Sequence, residues 1–598
     1  MYEYFYTDEN PDDSYLPSCY GTVLTTIKVG AKEHRALMYM PKTARACSVM
    51  LTVLPPNGWT CERAFQESNW SHLAEDDEHR DKFAVLFLEP ENGGEWNLDC
   101  SFGDENSPGA LIHAVLEQIL MSFKYVNVDG TRFGLLGYGE GGTAAQMAGM
   151  EYPTAISCVV SVGAPNVDPK FVKQAGDAVC DELCFYTVSG KAKGILNREI
   201  PVPCWIVDDP EYCMQSSQPA LDYWRGTVGA YAEPIKVAPD TDGYYRDKPT
   251  PHPINQDFGA YRVWHSTFPG AVRQMGRTYN RRFWREFLWV ISRHPGDPEG
   301  SMHVHKDPVR DCGAEYHYQR VDGWMREWFT YVPKSVRDNP DRPVPLVVAI
   351  HGFGCSGEYY FNDTQWYKVA DERGFIVVCP SGTNGGKFQP PHCERPVMAP
   401  SWNQTAVPNL PNECVFFREL VEITCREYNI DRSRVYATGH SNGSTTSHLL
   451  GLALPDVFAA IGCIGGAIPG VFLCVLDRPE VVNRPDLKVP AWIFIGQEEA
   501  DMLPAFPKEG DITANTINMW LKIDGIEPVS GDGWTRGWVG NGRYQDLAFS
   551  DGKRPMVRFS NVQDMPHAAT TEISYRLWDE FFRFFSRGEN GEPKYERF

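Results

Sequence analysis

The sequence lacks four things: a basic surplus, a paired-cysteine framework, a leader-like start and, with one exception, any long stretch without charge. Lys and Arg total 56 against 78 Asp and Glu, a formal net charge of −22. Such a chain repels nucleic acid and anionic membrane surfaces, so neither is expected as a partner. The 17 cysteines are odd in number and scattered, and several sit in apolar runs, such as Cys158, Cys379 and Cys463. Cys180 and Cys184 lie four apart, with no second pair to complete a zinc spacing. Cysteines used this way read as small buried hydrophobes in a reducing compartment. The start, Met1 to Glu9, has neither a basic region nor an apolar core, so no signal peptide is read and cytoplasmic residence is expected. The exception is Val457–Leu476, twenty residues without a charge, the length of a membrane span. Its glycines and Pro469 fit a buried strand and pocket-lining loop better. No motif calls for a metal, nucleotide or flavin, so no cofactor is expected. His303 and His305 form an H-x-H pair but have no acidic or cysteine partner at ligand spacing, and a solvated loop is the plainer reading.

What is present is enough chain for two large domains: 598 residues, each half able to bury a core without staples. The Gly-, Pro-, His- and charge-rich segment Ser292–Asp311 is the natural linker. The boundaries expected are 1–295, a linker at 296–311, and 312–598.

The most informative stretch is Tyr436-Ala437-Thr438-Gly439-His440-Ser441-Asn442-Gly443. It reads G-x-S-x-G between a β-run and a helical run. That spacing makes a tight strand-to-helix turn holding a serine hydroxyl clear of the backbone, with the helix N-terminus facing a developing oxyanion. Upstream, the apolar run Pro345–Ile350 reads as a parallel strand buried on both faces. It ends in His351-Gly352-Phe353-Gly354, where an oxyanion-hole loop belongs. Further strands are expected at Gly374–Pro380, Val489–Gly496 and Pro555–Phe559, then His567 and a final amphipathic helix around Tyr575–Phe585. The order Ser, acid, His, each just after a strand, fits an α/β-hydrolase.

These residues resemble the feruloyl esterase and polyhydroxybutyrate depolymerase-type esterases. The resemblance rests on His351 to Gly354, Ser401-Trp402-Asn403, Gly439 to Gly443, Met519 to Lys522 before Gly525, and His567 followed by Trp578. It covers about Tyr316 to Arg587. It implies hydrolysis of a soluble small-molecule carboxylic ester through an acyl-enzyme, on aryl, hydroxycinnamoyl or hydroxyacyl esters. Ser441 is then the nucleophile and His567 the base. The backbone N–H groups of Asn442 and Phe353 form the oxyanion hole, and His351, Gly352, Trp402 and His440 line the substrate pocket. Phe353 and Tyr359 are further candidates for an aromatic acyl wall. The acid follows Gly496. The family's G-x-x-D spacing lands on Glu499, whereas Asp501 keeps the commoner residue type two places late and is preferred. Peptidases, lactonases and acyltransferases use the same three residue types, and a ligand-binding pseudo-esterase is the non-enzymatic alternative. Intact Ser441, His567 and elbow glycines argue against the last.

The front half echoes the back. Ala36 to Lys42 echoes Glu327 to Lys334, Val202 to Ile206 echoes Val489 to Ile493, and Leu136-Gly137-Tyr138-Gly139-Glu140-Gly141 echoes the elbow. His265 precedes a Phe/Trp-rich helix as His567 does, and 302 residues separate each member of the pairs 139/441 and 265/567. The expected architecture is two tandem α/β-hydrolase domains, each a mostly parallel sheet flanked by helices. The front one has lost its chemistry: Gly139 stands at the serine position, and Leu54-Pro55-Pro56 replaces the oxyanion loop, where proline supplies no N–H.

Overall fold

A computed structural model of the chain describes residues 3–7, 15–75, 82–90, 93–120, 122, 125, 127–180, 194–231, 233–246, 253–388, 397–404, 411–468, 487–499 and 503–596. In the back half, a 10-stranded sheet runs Glu315–Val321, Trp324–Tyr331, Ile376–Ser381, Val344–Ile350, Ile430–His440, Ala460–Ile464, Ala491–Gly496, Pro555–Val562, Tyr544–Ser550, Val539–Asn541. The strands from Ile376–Ser381 to Pro555–Val562 are all parallel to their neighbours, and the outer ones are antiparallel. Val344–Ile350, Ile376–Ser381 and Ala491–Gly496 are buried along their whole length, which is why they read as unbroken apolar runs rather than alternating ones. This is an α/β-hydrolase sheet.

A second sheet, 11-stranded, runs Tyr4–Tyr6, Cys19–Val29, Lys32–Met40, Ala84–Leu88, Met50–Leu54, Gly134–Tyr138, Cys158–Val162, Cys204–Asp208, Arg262–Thr267, Thr241–Tyr245, Ile235–Ala238. Leaving out Tyr4–Tyr6, its order and strand directions match the back sheet strand for strand. Side-chain detail repeats as well. Trp205 donates its indole N–H to Ser266 Oγ (3.0 Å), and Trp492 donates to Ser560 Oγ (2.8 Å).

That match corrects one expectation. His265 is not the counterpart of His567. It sits inside strand Arg262–Thr267, in register with Ile206, whereas His567 lies beyond the end of Pro555–Val562. The offset between halves is 302 at the elbow, 287 at the paired tryptophans and 294 at their serine partners. The shared spacing of 302 is therefore a coincidence of compensating loop lengths. His265 instead bonds Asp208 at 2.9 Å and approaches Ser217 through the same ring nitrogen.

The segment between the sheets is not a solvated loop either. Ile291–His294 and Ser301–Val304 form an antiparallel hairpin, and His294, His303 and His305 are buried. His303 bonds the carbonyls of Asn255 (2.5 Å) and Asn362 (2.9 Å), His305 bonds Glu358 (3.0 Å) and Arg132 (2.8 Å), and His294 pairs with Asp363 (2.8 Å). Asp297 pairs with Arg543 at 2.9 Å. Polar groups that cannot reach water must bond each other, so the hairpin is stitched into both halves. Every described cysteine is a free thiol. Among the described residues no helix is long and apolar enough to cross a membrane. Of the uncharged stretch, residues 457–468 include the central strand Ala460–Ile464, and the rest lies outside the described residues.

One buried group works against the fold. Asp524 ends helix Ile512–Asp524, is inaccessible, and neither carboxylate oxygen has a partner among the described residues. Burial raises its pKa to about 8, against the weaker opposing pull of Lys488. Between the ordinary carboxylate pKa and about 8 the folded chain holds a proton that the unfolded chain has lost, so stability falls as pH rises through that window. Asp524→Asn should therefore raise Tm at pH 8.5 and raise it much less at pH 5. Melting curves at the two pH values check this, and an equal or inverted gain contradicts it.

Candidate active site

The elbow is set by close approaches. A Cβ on Gly443 would lie 2.2 Å from the Ile350 carbonyl oxygen and 2.5 Å from that of His351. One on Gly439 would lie 2.3 Å from the Gly443 oxygen. Only glycine fits at either place. Ser441 is consequently held at φ 55°, ψ −117°, in the left-handed region, and caps helix Asn442–Ala453. Such a backbone costs on the order of 1–3 kcal/mol and persists only when its surroundings force it. Its N–H is anchored to Ile464 O at 2.9 Å.

His567 and an acid meet beside it. Glu499 ends the single turn Gln497–Glu499 and is inaccessible to solvent. Its Oε1 accepts the Gly496 N–H at 2.8 Å, and its Oε2 accepts from His567 Nδ1 at 2.5 Å. With Nδ1 so occupied, Nε2 is the nitrogen left to act. Asp501, the expected acid, lies outside the described residues. The carboxylate found on His567 is the one at the G-x-x-D spacing, one methylene longer. Among the described residues no hydrogen bond joins the Ser441 hydroxyl to His567, a contact that commonly tightens only when substrate binds.

His440 packs against His567 with ring centroids 4.5 Å apart. Burial and then the neighbouring His567 push its pKa well below the ordinary range, and its Nε2 has no partner among the described residues. It is a neutral ring beside the base. His351 is wholly buried: Nδ1 donates to Gly352 O at 2.6 Å and Nε2 accepts the Gly382 N–H at 2.7 Å. Burial lowers its pKa to about 4. The Trp402 indole donates to His351 O at 2.8 Å, and its backbone N–H donates to Asn442 Oδ1 at 2.9 Å. His351 and Trp402, expected in a pocket wall, are thus bonded into the loop that begins at His351. Gly352 lies against the elbow, where a Cβ would come 3.3 Å from Ser441 Cβ. Phe353 is 40% exposed at the loop tip. Tyr359 is buried, with its ring facing His294.

Gln404 escaped the sequence reading. Its Nε2 donates to Asn442 O (2.5 Å) and Thr446 Oγ1 (3.0 Å), fastening the first turn of the elbow helix. It directly follows the Ser401-Trp402-Asn403 patch, whose place in the family resemblance was the available signal.

The matching place in the front half is shut. Gly139 has φ 58°, ψ −128°, the Ser441 conformation, and caps helix Glu140–Glu151. A Cβ there would lie 2.7 Å from the Tyr212 hydroxyl, so Tyr212 fills the nucleophile's space. That hydroxyl donates to Glu140 Oε2 at 2.6 Å, and the same oxygen accepts the Asn57 N–H at 3.3 Å. Gly139→Ser should displace Tyr212, lower Tm by roughly 1–4 °C and give no fluorophosphonate adduct at position 139. An adduct there, or an unchanged Tm with Tyr212 still bonded to Glu140, contradicts the plugged-site account.

Residues 330–495 match the model of the esterase PHB depolymerase family. Among curated proteins, feruloyl esterase B of Thermothelomyces thermophilus is 31% identical over 265 residues, 38% of this chain and 82% of that one. A probable acetylxylan esterase A of Aspergillus flavus is 27% identical over 159 residues, 26% of this chain. The match spans 46% of that relative's length. Among solved structures, acetyl xylan esterase from Aspergillus awamori aligns over 43% of this chain and 94% of its own, at 17% identity and a TM-score of 0.31.

Proposed function

The chain belongs to the feruloyl esterase and polyhydroxybutyrate depolymerase-type esterases, and from that premise we propose that it hydrolyses a small carboxylic ester at Ser441. The observation that carries the proposal is the bond from inaccessible Glu499 to His567, whose ring packs on His440, the residue before a serine held in a strained turn. Ser441, Glu499 and His567 each lie just beyond a parallel strand of the back sheet.

In the proposed reaction, His567 Nε2 takes the Ser441 proton as Oγ attacks the ester carbonyl. The Asn442 and Phe353 N–H groups hold the tetrahedral oxyanion. Glu499 keeps His567 in the Nδ1–H tautomer and stabilises the imidazolium. The imidazolium returns its proton to the leaving alcohol, and water repeats the cycle on the acyl-enzyme. His440, neutral and apolar-faced, excludes water from one side of the base. The names of the relatives make acetyl and hydroxycinnamoyl esters the first acyl groups to test. The front half is proposed to be an inert duplicate spanning about 1–295, and the free thiols support residence in a reducing, cytoplasmic compartment.

Ser441→Ala should abolish hydrolysis of p-nitrophenyl acetate and ferulate, and a fluorophosphonate should label Ser441 alone. Glu499→Gln should lower kcat by about 10⁴-fold, the loss expected when the base loses its tautomer partner, while Asp501→Asn stays within about tenfold of the parent. Steady-state kinetics on both variants check the acid. The reverse ranking transfers the role to Asp501, and activity surviving Ser441→Ala removes the proposed site.

A further inference from the structure

The loop proposed to supply one oxyanion N–H is held by the other half of the molecule. Asn127 belongs to the front half, where it precedes the bridge between Ser48 and Val128, and it is only 3% exposed. Its Nδ2 donates to the Gly354 carbonyl at 2.5 Å. Its Oδ1 lies 3.0 Å from where a Gly354 Cβ would stand, so glycine there (φ 75°) both makes the turn and admits the amide. We infer that Asn127 is a positioning residue for ester hydrolysis, acting through Gly354 on the Phe353 N–H. The inference rests on the function proposed above.

The loop is otherwise fixed from its own half. His351 O is held by Trp402, Gly354 N–H by Pro400 O at 2.8 Å, and Cys355 N–H by Gly352 O at 3.3 Å. In the Gly354–Cys355 peptide the N–H is thus held from the back half, and the carbonyl is held from the front half by Asn127. Without Asn127 that peptide loses one of its two anchors and the loop loses its tie to the front half at Gly354. An oxyanion donor is useful only if it is preorganised at the position the oxyanion will occupy. A 1 Å displacement far from the chemistry can cost about 10²-fold.

Other front-half contacts converge on the same loop, which makes Asn127 part of a built support. The Tyr15 hydroxyl accepts from Glu327 N–H (3.0 Å) and donates to Ser381 O (3.2 Å). Ser381 Oγ in turn accepts the Gly357 N–H at 2.9 Å, at the start of the helix that follows the loop. Farther along that helix, Glu358 and Asn362 O are held by His305 and His303 of the hairpin. The front sheet, inert at its own elbow, supplies the far side of the oxyanion loop's scaffold.

The test uses full-length Asn127→Ala and the near-isosteric Asn127→Asp, which keeps the volume but removes the donor. Rates are expressed per serine labelled to completion by a fluorophosphonate, so misfolded protein does not count. Both variants should lower kcat on p-nitrophenyl acetate and the fluorophosphonate labelling rate by roughly 10–100-fold. KM should stay within about twofold. A purely structural role predicts instead that Asn127→Asp restores the rate, or that loss follows Tm and disappears on cooling. Either outcome overturns the inference, as does unchanged kcat in both variants. Ser441→Ala in the same assay separates the two levels: if it abolishes turnover while Asn127→Ala does not lower kcat, only the role of Asn127 falls.

Discussion

The close approach of the elbow helix to the end of strand Val344–Ile350 governs the rest of the site. Gly443 lies so near the Ile350 and His351 carbonyls that no side chain fits between them. That contact forces Ser441 into the left-handed region and sets its hydroxyl beside the loop that begins at His351. Everything else responds to this geometry. Trp402, Asn442 and Gln404 tie the loop and the first helical turn into one unit. Glu499 fixes His567 from the next strand but one. Bracing of this kind is what lets a folded chain keep a residue in costly backbone geometry.

The same close approach exists in the front half. At Gly137 and Gly141 a Cβ would again meet backbone atoms, at 2.1 Å from Gly141 O and 2.2 Å from Leu54 O respectively. Gly139 keeps the turn's dihedral angles. The turn is thus a property of the sheet and helix packing, and the serine is an addition to it. Tyr212 and Glu140 occupy the vacated place and satisfy each other.

Much of this was legible in the sequence, for identifiable reasons. Buried parallel strands announce themselves as apolar runs, and the elbow glycines are demanded by contacts that tolerate nothing larger. The repeat was visible at the elbows and at Trp205 and Trp492, because core positions keep their residue types. His265 misled because loops between strands change length freely, so equal sequence spacing carried no structural register. For the acid, residue type favoured Asp501, which lies outside the described residues, whereas the carboxylate found on His567 is Glu499, the alternative that the family spacing offers. The hairpin at Ile291–Val304 was misread because its histidines, prolines and charges look solvent-seeking. Only the fold reveals that His294, His303, His305 and Asp297 have partners in the back half while Arg293 bonds the front one. Asn127 left no signal at all, since a single buried amide becomes meaningful only when the loop it holds is known.

The most direct measurement is a crystal structure of the full chain inactivated with an acyl phosphonate. The account predicts phosphorus bonded to Ser441 Oγ and one phosphonyl oxygen within about 2.7–3.1 Å of the Asn442 and Phe353 N–H groups. His567 should remain on Glu499, and Asn127 on Gly354. A phosphonyl oxygen pointing away from Phe353, or His567 bonded to Asp501, would contradict it.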